Sequence, residues 1–401
     1  MTSEELRNEF PQLARSVYGK PLVYLDNAAT SLRPRSVIAR WTDSAANATA
    51  NLHRAVHRIA TEATEAYEGA RDAVAEFINA AERQEVIFTS GATHALNLAA
   101  FGIGEAFIHS GDEIIIGEAE HHSDIVPWQM LCERKGADIK VLPVDDSGRL
   151  RTELLPSLLT ERTRLVCVAH ISNVLGLVNP IPEIAAACRA NGTLLLVDGA
   201  QGIVHQKVDV QSLGCDFYAF SGHKMYGAPG TGILWGRRAL LEQMPPMFGG
   251  GEMIHTVKWS GTTYAPLPGK FEAGTQDISA VPCWIPAIEM LRSMPEATDV
   301  RDYVYRTLTE EPGLHLFGTT SDLSRKAPVF SFAVDGAHHE DLALILDKMG
   351  IAVRSGQMCA EPLMDRFGVT GMLRASFAPY NTMQEAEYFI SSLRKAIKML
   401  K

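Results

Sequence analysis

Five apolar runs of this 401-residue chain end in residues that can bind anions or move protons. EVIFTS leads into Ser90-Gly91-Ala92-Thr93-His94, DEIIIGEAE into Glu120-His121-His122, and RLVCVAHIS into Asn173. TLLLVD ends on Asp198, with Gln201 just beyond, and DFYAFS leads into Ser221-Gly222-His223-Lys224. In a parallel α/β sheet, ligands bind beyond the carboxyl ends of the strands, where these residues would sit. The small-residue turn at Gly91 opens a helical pattern, so its free N–H groups and hydroxyls suit a phosphate. An acid ending an apolar strand can pair with a cationic ring nitrogen, and a lysine such as Lys224 can form an imine with an aldehyde. Pyridoxal phosphate makes both demands and adds a phosphate cup and a stacking ring. Asp198, Lys224, the turn around Thr93 and His121 match these four needs. Taken singly, each also fits a strand-end cap, a surface lysine or a satisfied polar group at a core edge.

A nucleophilic thiol is the other reactive group to seek. The cysteines are Cys132, Cys167, Cys188, Cys215, Cys283 and Cys359, widely spaced and without a C-x-x-C pair, which suits neither a disulfide framework nor a zinc ribbon. Cys167 lies inside an apolar strand pattern, and Cys132 and Cys188 on helical runs, where packing is the expected role. Only Cys359 sits in a polar, glycine-containing loop, RSGQMCA, with the cation Arg354 nearby. His53 and His57 are four residues apart and His338-His339-Glu340 cluster, but there is no H-E-x-x-H motif, so no metal site is expected.

The elements that must position these groups alternate between Asp26 and about Gly236. Short, continuously apolar runs, the last being GILWG, read as strands buried on both faces, separated by helices. In TEATEAYEGARDAVAEFINA, Ala63, Tyr67, Ala70, Val74, Phe77 and Ile78 recur every three to four residues, as on one helical face. From Gly249 to Gly274 the period breaks into Gly, Pro, Thr and Trp, which predicts a loop or hairpin. After Pro282 come a helix and the strand patterns APVFSFAV, IAVRSG and LRASFAPY around the helix DLALILDKMG. The chain closes on a helix opened by the capping box Thr382 to Glu385.

Length and composition frame this reading. At 43.8 kDa, with 46% hydrophobic and 21% charged residues, the chain has a globular composition and the length of two domains. The formal charge of −10 and the absence of long basic runs argue against a nucleic-acid partner. The polar N-terminus lacks a secretory apolar region, and no 18-residue apolar run suggests a membrane span, so a cytoplasmic protein is expected.

Taken in order, DNAATS, AEHHSDIVPW, HISNVLG, VDGAQG, SGHKMYGAPGTG and FEAGTQD resemble the class V, fold-type I pyridoxal-phosphate enzymes, and most of all the group II cysteine desulfurases of the SufS/CsdA type. The resemblance spans residues 26–381. It implies a large α/β domain with a mostly parallel sheet over residues 18–282. A smaller α+β domain, formed by 1–17 and 283–401, would carry the cysteine loop. It further implies that Lys224 holds the cofactor, Asp198 meets the pyridine nitrogen, His121 stacks on the ring and Gln201 faces the phenolate oxygen. Thr93, Ala92, Ser221 and His223 would hold the phosphate, with Thr275 supplied by the partner subunit of a homodimer. Asn173 and Arg374 would grip the substrate carboxylate, with Arg354 and Ala29 also at the substrate site and His53 and Arg54 lining its entrance. Cys359 matches the persulfide-forming cysteine of RxGxxCA. Two positions depart from the family: Met358 stands where a histidine usually precedes the cysteine, and His94 stands where the phosphate turn usually has Glu. The expected reaction converts L-cysteine to alanine and an enzyme persulfide, which passes to an acceptor protein in iron-sulfur cluster assembly or thio-cofactor synthesis. The alternatives are a selenocysteine lyase, a class V transaminase or epimerase, and a binding protein on the same fold.

Overall fold

The computed structural model describes residues 3–53 and 56–401. Its centre is a seven-stranded sheet: β1 (Val86–Thr89), β2 (Glu113–Gly117), β3 (Asp138–Leu142), β4 (Thr163–Ala169), β5 (Leu194–Asp198), β6 (Phe217–Ser221) and β7 (Gly232–Gly236). The strand order is β1-β7-β6-β5-β4-β2-β3, and only β7 runs against its neighbours.

The continuous apolar runs are explained by what each face meets. Successive strand side chains point to opposite faces. Phe88, Ile115, Val166, Val168, Leu195, Val197 and Phe220 enter one core, while Ile87, Ile114, Ile116, Leu165, Cys167, Leu196 and Ala219 enter the other. The first core is closed by α2 (Arg58–Phe77) and α5 (Ile181–Asn191), the second by α3 (Ala92–Phe107) and α4 (Val126–Lys135). The edge strand β3 carries no such signal in the sequence. Only Leu142 of its five residues is buried, Val141 is exposed, and Lys140 reaches across to Glu113.

A second sheet of four antiparallel strands has the order β10-β11-β13-β12, with β10 (Leu314–Phe317), β11 (Val329–Val334), β12 (Arg354–Gly356) and β13 (Met372–Ser376). Helices α7 (Thr298–Thr309), α8 (His339–Lys348) and α9 (Met383–Leu400) cover it, and α9 begins at the Thr382–Glu385 capping box. Val23 and Leu25 pack into this smaller core, and Val23–Tyr24 pairs in parallel with Ile351–Ala352. Helix α6 (Trp284–Ser293) packs instead on α2 and on α1 (Arg35–Asn47).

The aperiodic stretch after Gly249 contains an exposed hairpin of β8 (Ile254–Lys258) and β9 (Gly261–Tyr264). Its return segment is anchored by Glu272, which is buried and accepts Arg71 at 2.7 and 2.9 Å, the Phe88 amide at 2.8 Å and the Tyr67 hydroxyl at 3.3 Å. Removing one partner of a buried, hydrogen-bonded ion pair leaves an uncompensated charge and costs about 3–5 kcal/mol. Glu272→Ala should therefore lower the urea midpoint by an equivalent amount, and a loss below about 1 kcal/mol would show that Arg71 finds another partner.

Candidate active site

The strands deliver their terminal residues to one place. A cavity of about 160 Å³ beyond β1, β4, β5 and β6 is lined by Ala92, Thr93, His121, Asn173, Asp198, Ser221, His223 and Lys224 from the large sheet's side. Ala29 lines it from the segment after Asp26, and Arg354 and Arg374 from the smaller domain. A larger cleft of about 440 Å³ lies elsewhere, between residues 147–183 and 305–325. Its arginines are already engaged, Arg149 by Asp145 and Glu153 and Arg325 by Asp322, and it holds none of the residues singled out from the sequence.

The phosphate end is a turn closed by contact. Gly91 has φ +149°, and the amide of Ala92, the first residue of α3, donates to Ser221 Oγ at 2.7 Å. Thr93 Oγ1 pairs with Ser123 Oγ at 2.8 Å. A Cβ at Gly232 would fall 2.4 Å from Gly91 Cα, so the antiparallel strand β7 needs a glycine there to let the turn lie against it.

At the other end, Asp198 and Lys224 attract each other, but burial opposes both charges. It raises the Asp198 carboxyl and lowers the Lys224 ammonium from their ordinary values. A lysine eased toward its free amine is the form that adds to an aldehyde. Asp198 Oδ1 is fixed by the Ala200 amide at 2.8 Å. Burial, reinforced by the Lys224 charge, pushes His121 down to about 4. Its Nδ1 accepts from the Ser123 amide at 3.0 Å, which places the ring proton of the neutral form on Nε2.

The smaller domain supplies an anion seat. Arg354 and Arg374 are direct cross-strand partners on β12 and β13, a like-charge pairing that costs stability unless something negative joins it. Arg374 is 2% exposed and is lowered to about 10, mainly by burial, against the pull of Asp26. It donates to the Asn173 carbonyl at 2.8 Å and to Asp26 at 3.2 Å, and its buried Nε has no partner. An unpartnered guanidinium donor of this kind is suited to a negatively charged partner.

Cys359 lies beside the cavity in a tight turn from Gln357 to Ala360, closed by a 3.0 Å hydrogen bond. The two central residues, Met358 and Cys359, have φ +54° and +58°, a conformation that costs on the order of 1–3 kcal/mol for a non-glycine residue and persists only where its surroundings enforce it. The large domain enforces it here. Asn173 Nδ2 donates to the Met358 carbonyl at 2.8 Å, and the His122 amide to the Cys359 carbonyl at 2.7 Å. His122 Nε2 also accepts from the Glu361 amide at 3.0 Å. Cys359 is half-buried, whereas the other five thiols are buried. Burial raises Cys132 to about 11 and Cys188, Cys215 and Cys283 to about 12, and it also raises Cys167.

Some residues singled out from the sequence lie outside the cavity. Gln201 is buried beside it, with Nε2 on the Ala28 carbonyl at 2.8 Å. His53 is exposed and paired with Glu68 at 3.2 Å, Thr275 lies in an exposed bend, and Arg54 falls outside the described residues. The sequence reading gave no role to Asp26, His122, Ser123 or Met358. The first three lie within the quoted motifs DNAATS and AEHHSDIVPW, so their position was visible even though their contacts were not.

A buried lysine opposite a strand-end carboxylate, with a helix-start turn suited to phosphate at the carboxyl end of a mostly parallel sheet, fits a fold-type I pyridoxal-phosphate enzyme. The family model of class-V aminotransferases matches residues 23–389. The cysteine desulfurase of Serratia proteamaculans is 44% identical over 99% of this chain and 98% of its own. Among solved structures, the cysteine desulfurase CsdA (S-sulfonic acid) from Escherichia coli aligns with a TM-score of 0.91 at 36% identity over the full length of both chains. The apo cysteine desulfurase of Thermococcus onnurineus gives 0.92 at 34% identity, over 99% and 98%. The chain belongs to the class-V aminotransferase family and, within it, to the cysteine desulfurases. Its cofactor is pyridoxal phosphate, which the turn at Gly91, the facing Asp198 and Lys224 and the imidazole of His121 fit.

Burial depresses four histidines, His121, His170, His205 and His223, to about 4. The unfolded chain titrates near 6.5, so it binds more protons than the native state between these values. Each ring therefore carries stability that is lost as pH drops from about 6.5 to 4, an effect opposed by the raised carboxyls of Asp198, Glu120 and Asp124. The urea midpoint of the cofactor-free protein should thus change less favourably with falling pH in the parent than in His170→Asn. The same pH dependence in parent and variant would mean that this ring is solvated.

Proposed function

We propose that the protein removes sulfur from L-cysteine, giving L-alanine and a persulfide on Cys359 that is passed to an acceptor protein. The observation that carries this reading is the Cys359 turn, held in a left-handed conformation by Asn173 and His122, so that the one half-exposed thiol is fixed beside the Lys224 cavity. A transaminase or epimerase has no use for a thiol there.

Lys224, Asp198, His121, Gln201, Thr93, Ala92, Ser221 and His223 would hold the cofactor. When bound, pyridoxal phosphate supplies an electron sink for the bonds at the substrate's Cα. The Arg354–Arg374 pair receives the substrate carboxylate, with Asp26 and the Asn173 carbonyl fixing the Arg374 fork. The amine of Lys224 takes the Cα proton. Cys359 Sγ, as thiolate, attacks the substrate sulfur. The S–S bond forms as the C–S bond breaks, and the C–S electron pair passes to the substrate's Cβ, which is then protonated. His121, neutral with its proton on Nε2, is suited to supply that proton. Asn173 serves this step through its grip on Met358 as well as through the carboxylate site.

We further propose a homodimer in which Thr275 reaches the partner's phosphate site. Thr275 is exposed and does not line its own cavity, and the preceding hairpin exposes Val257, Trp259 and Tyr264, an apolar surface suited to assembly. Sedimentation should give twice the 43.8 kDa chain mass; a monomer would leave Thr275 without a task. No helix of the described residues is long and apolar enough to cross a membrane, and six unpaired thiols suit a reducing, cytoplasmic setting.

The test is to incubate cofactor-loaded protein with L-cysteine and a reductant and to quantify alanine and sulfide. Equal amounts are expected. Both should fall at least about 10³-fold in Cys359→Ala, which should still bind the cofactor, because losing a nucleophile removes most of the chemical step. Undiminished alanine in that variant would overturn the mechanism, and selenocysteine turnover that survives it would favour a selenocysteine lyase.

A further inference from the structure

Behind the cavity, the segment Glu120-His121-His122-Ser123-Asp124 makes three contacts with the site. His121 lines the cavity, His122 holds the Cys359 turn and Ser123 pairs with Thr93. Both ends of the segment are buried acids, Glu120 at 1% and Asp124 at 0% exposure. Among the described residues, neither has an ion-pair partner. Asp124 Oδ1 accepts from Trp128 Nε1 at 2.9 Å, while Glu120 Oε2 and Asp124 Oδ2 have no hydrogen-bond partner. A Cβ at Gly117, the last residue of β2, would lie 2.4 Å from Glu120 Oε1, so the strand ends on glycine where the carboxyl tucks under it.

We propose that Glu120 and Asp124 are positioning residues that act as uncharged carboxylic acids, pinning both ends of the His121–Ser123 arm behind the cavity. The proposal rests on reading the cavity as the pyridoxal-phosphate site. A buried carboxylate without a cation is strongly disfavoured, whereas its protonated form is merely a polar group. The groups facing the pair agree with this. Asp198 on β5 is negative and so opposes ionisation of both acids, and Cys167 on β4 is a buried thiol that supplies no positive charge. Burial first, and these neighbours second, raise both carboxyls well above the usual range, whereas Asp198 has the Lys224 charge in its favour. Glu120 Oε2 and Asp124 Oδ2, which have no donor to accept from, are the oxygens on which the protons would sit.

Infrared spectroscopy of the cofactor-free protein at neutral pH tests the charge state. A carbonyl band of protonated carboxylic acid is expected, and it should vanish in the double variant Glu120→Gln/Asp124→Asn. Its absence from the parent, or its persistence in the double variant, would overturn the proposal. The bound cofactor's absorbance provides a charge count. Asp124→Asn removes no charge if the acid is neutral, so the pH midpoint of the absorbance change should stay in place; a shift of about one unit, the size expected from removing a neighbouring charge, would overturn it. For positioning, Glu120→Ala should raise the alkylation rate of Cys359 several-fold in the cofactor-free protein, mapped by peptide mass, and Glu120→Gln should restore the parent rate. An unchanged rate in Glu120→Ala, or no rescue by Gln, would show that the arm is held by other means. If the desulfurase reading failed, the parent would make no alanine from cysteine, while the infrared and alkylation results would stand.

Discussion

Burial is the constraint on which this active site depends. Asp198 and Lys224 sit at the edge of a sheet whose two faces are both sealed by apolar cores, so neither charge is well solvated and each is sustained chiefly by the other. The same dryness keeps His121 neutral and, as proposed above, leaves Glu120 and Asp124 protonated. Charge is scarce there, and each one that remains has a visible counterpart.

The exception is the arginine pair on β12 and β13. Two guanidinium groups opposite each other, one fully buried, are balanced only in part by Asp26, and the unpartnered Nε of Arg374 marks what is missing. In the reaction proposed above, the substrate carboxylate would complete this arrangement and offset the like-charge pairing. Backbone strain lies close by: Met358 and Cys359 both hold left-handed backbone conformations without being glycine. Carbonyl grips from Asn173 and from the His122 amide hold the turn, so the thiol's position belongs to the contact between domains and not to the loop itself.

Asn173 shows how closely the two halves are joined. Its side chain holds the Met358 carbonyl of the smaller domain's loop, while its own carbonyl accepts Arg374 from β13. One residue at the carboxyl end of the large sheet thus holds both the Cys359 turn and the Arg374 fork. The N-terminal segment adds a second seam: Asn27 Nδ2 donates to the Ser376 carbonyl at 2.7 Å, and Asp26 reaches Arg374.

The sequence by itself determined most strands of the large sheet, because a strand covered on both faces reads as a continuous apolar run, as residues 165–169 of β4, 194–197 of β5 and 217–220 of β6 do. It also determined the chemistry-bearing residues at their ends: Asp198, Lys224, His121, Thr93 and Ser221 stand where the apolar runs stop. The edge strand β3 escaped notice because one face is solvated and its residues carry no apolar run. Only the tertiary structure decided that Asn173 grips the Met358 carbonyl, that His122 holds the Cys359 turn and that Arg354 and Arg374 share a register. Such contacts join residues far apart in the chain, 239 positions between His122 and Glu361 and 349 between Asn27 and Ser376, and depend on where two domains meet. Residue type and local spacing carry no record of that geometry. Nor did the glycine in RSGQMCA mark the left-handed turn, since the conformation falls on Met358 and Cys359 and is imposed by their neighbours across the interface.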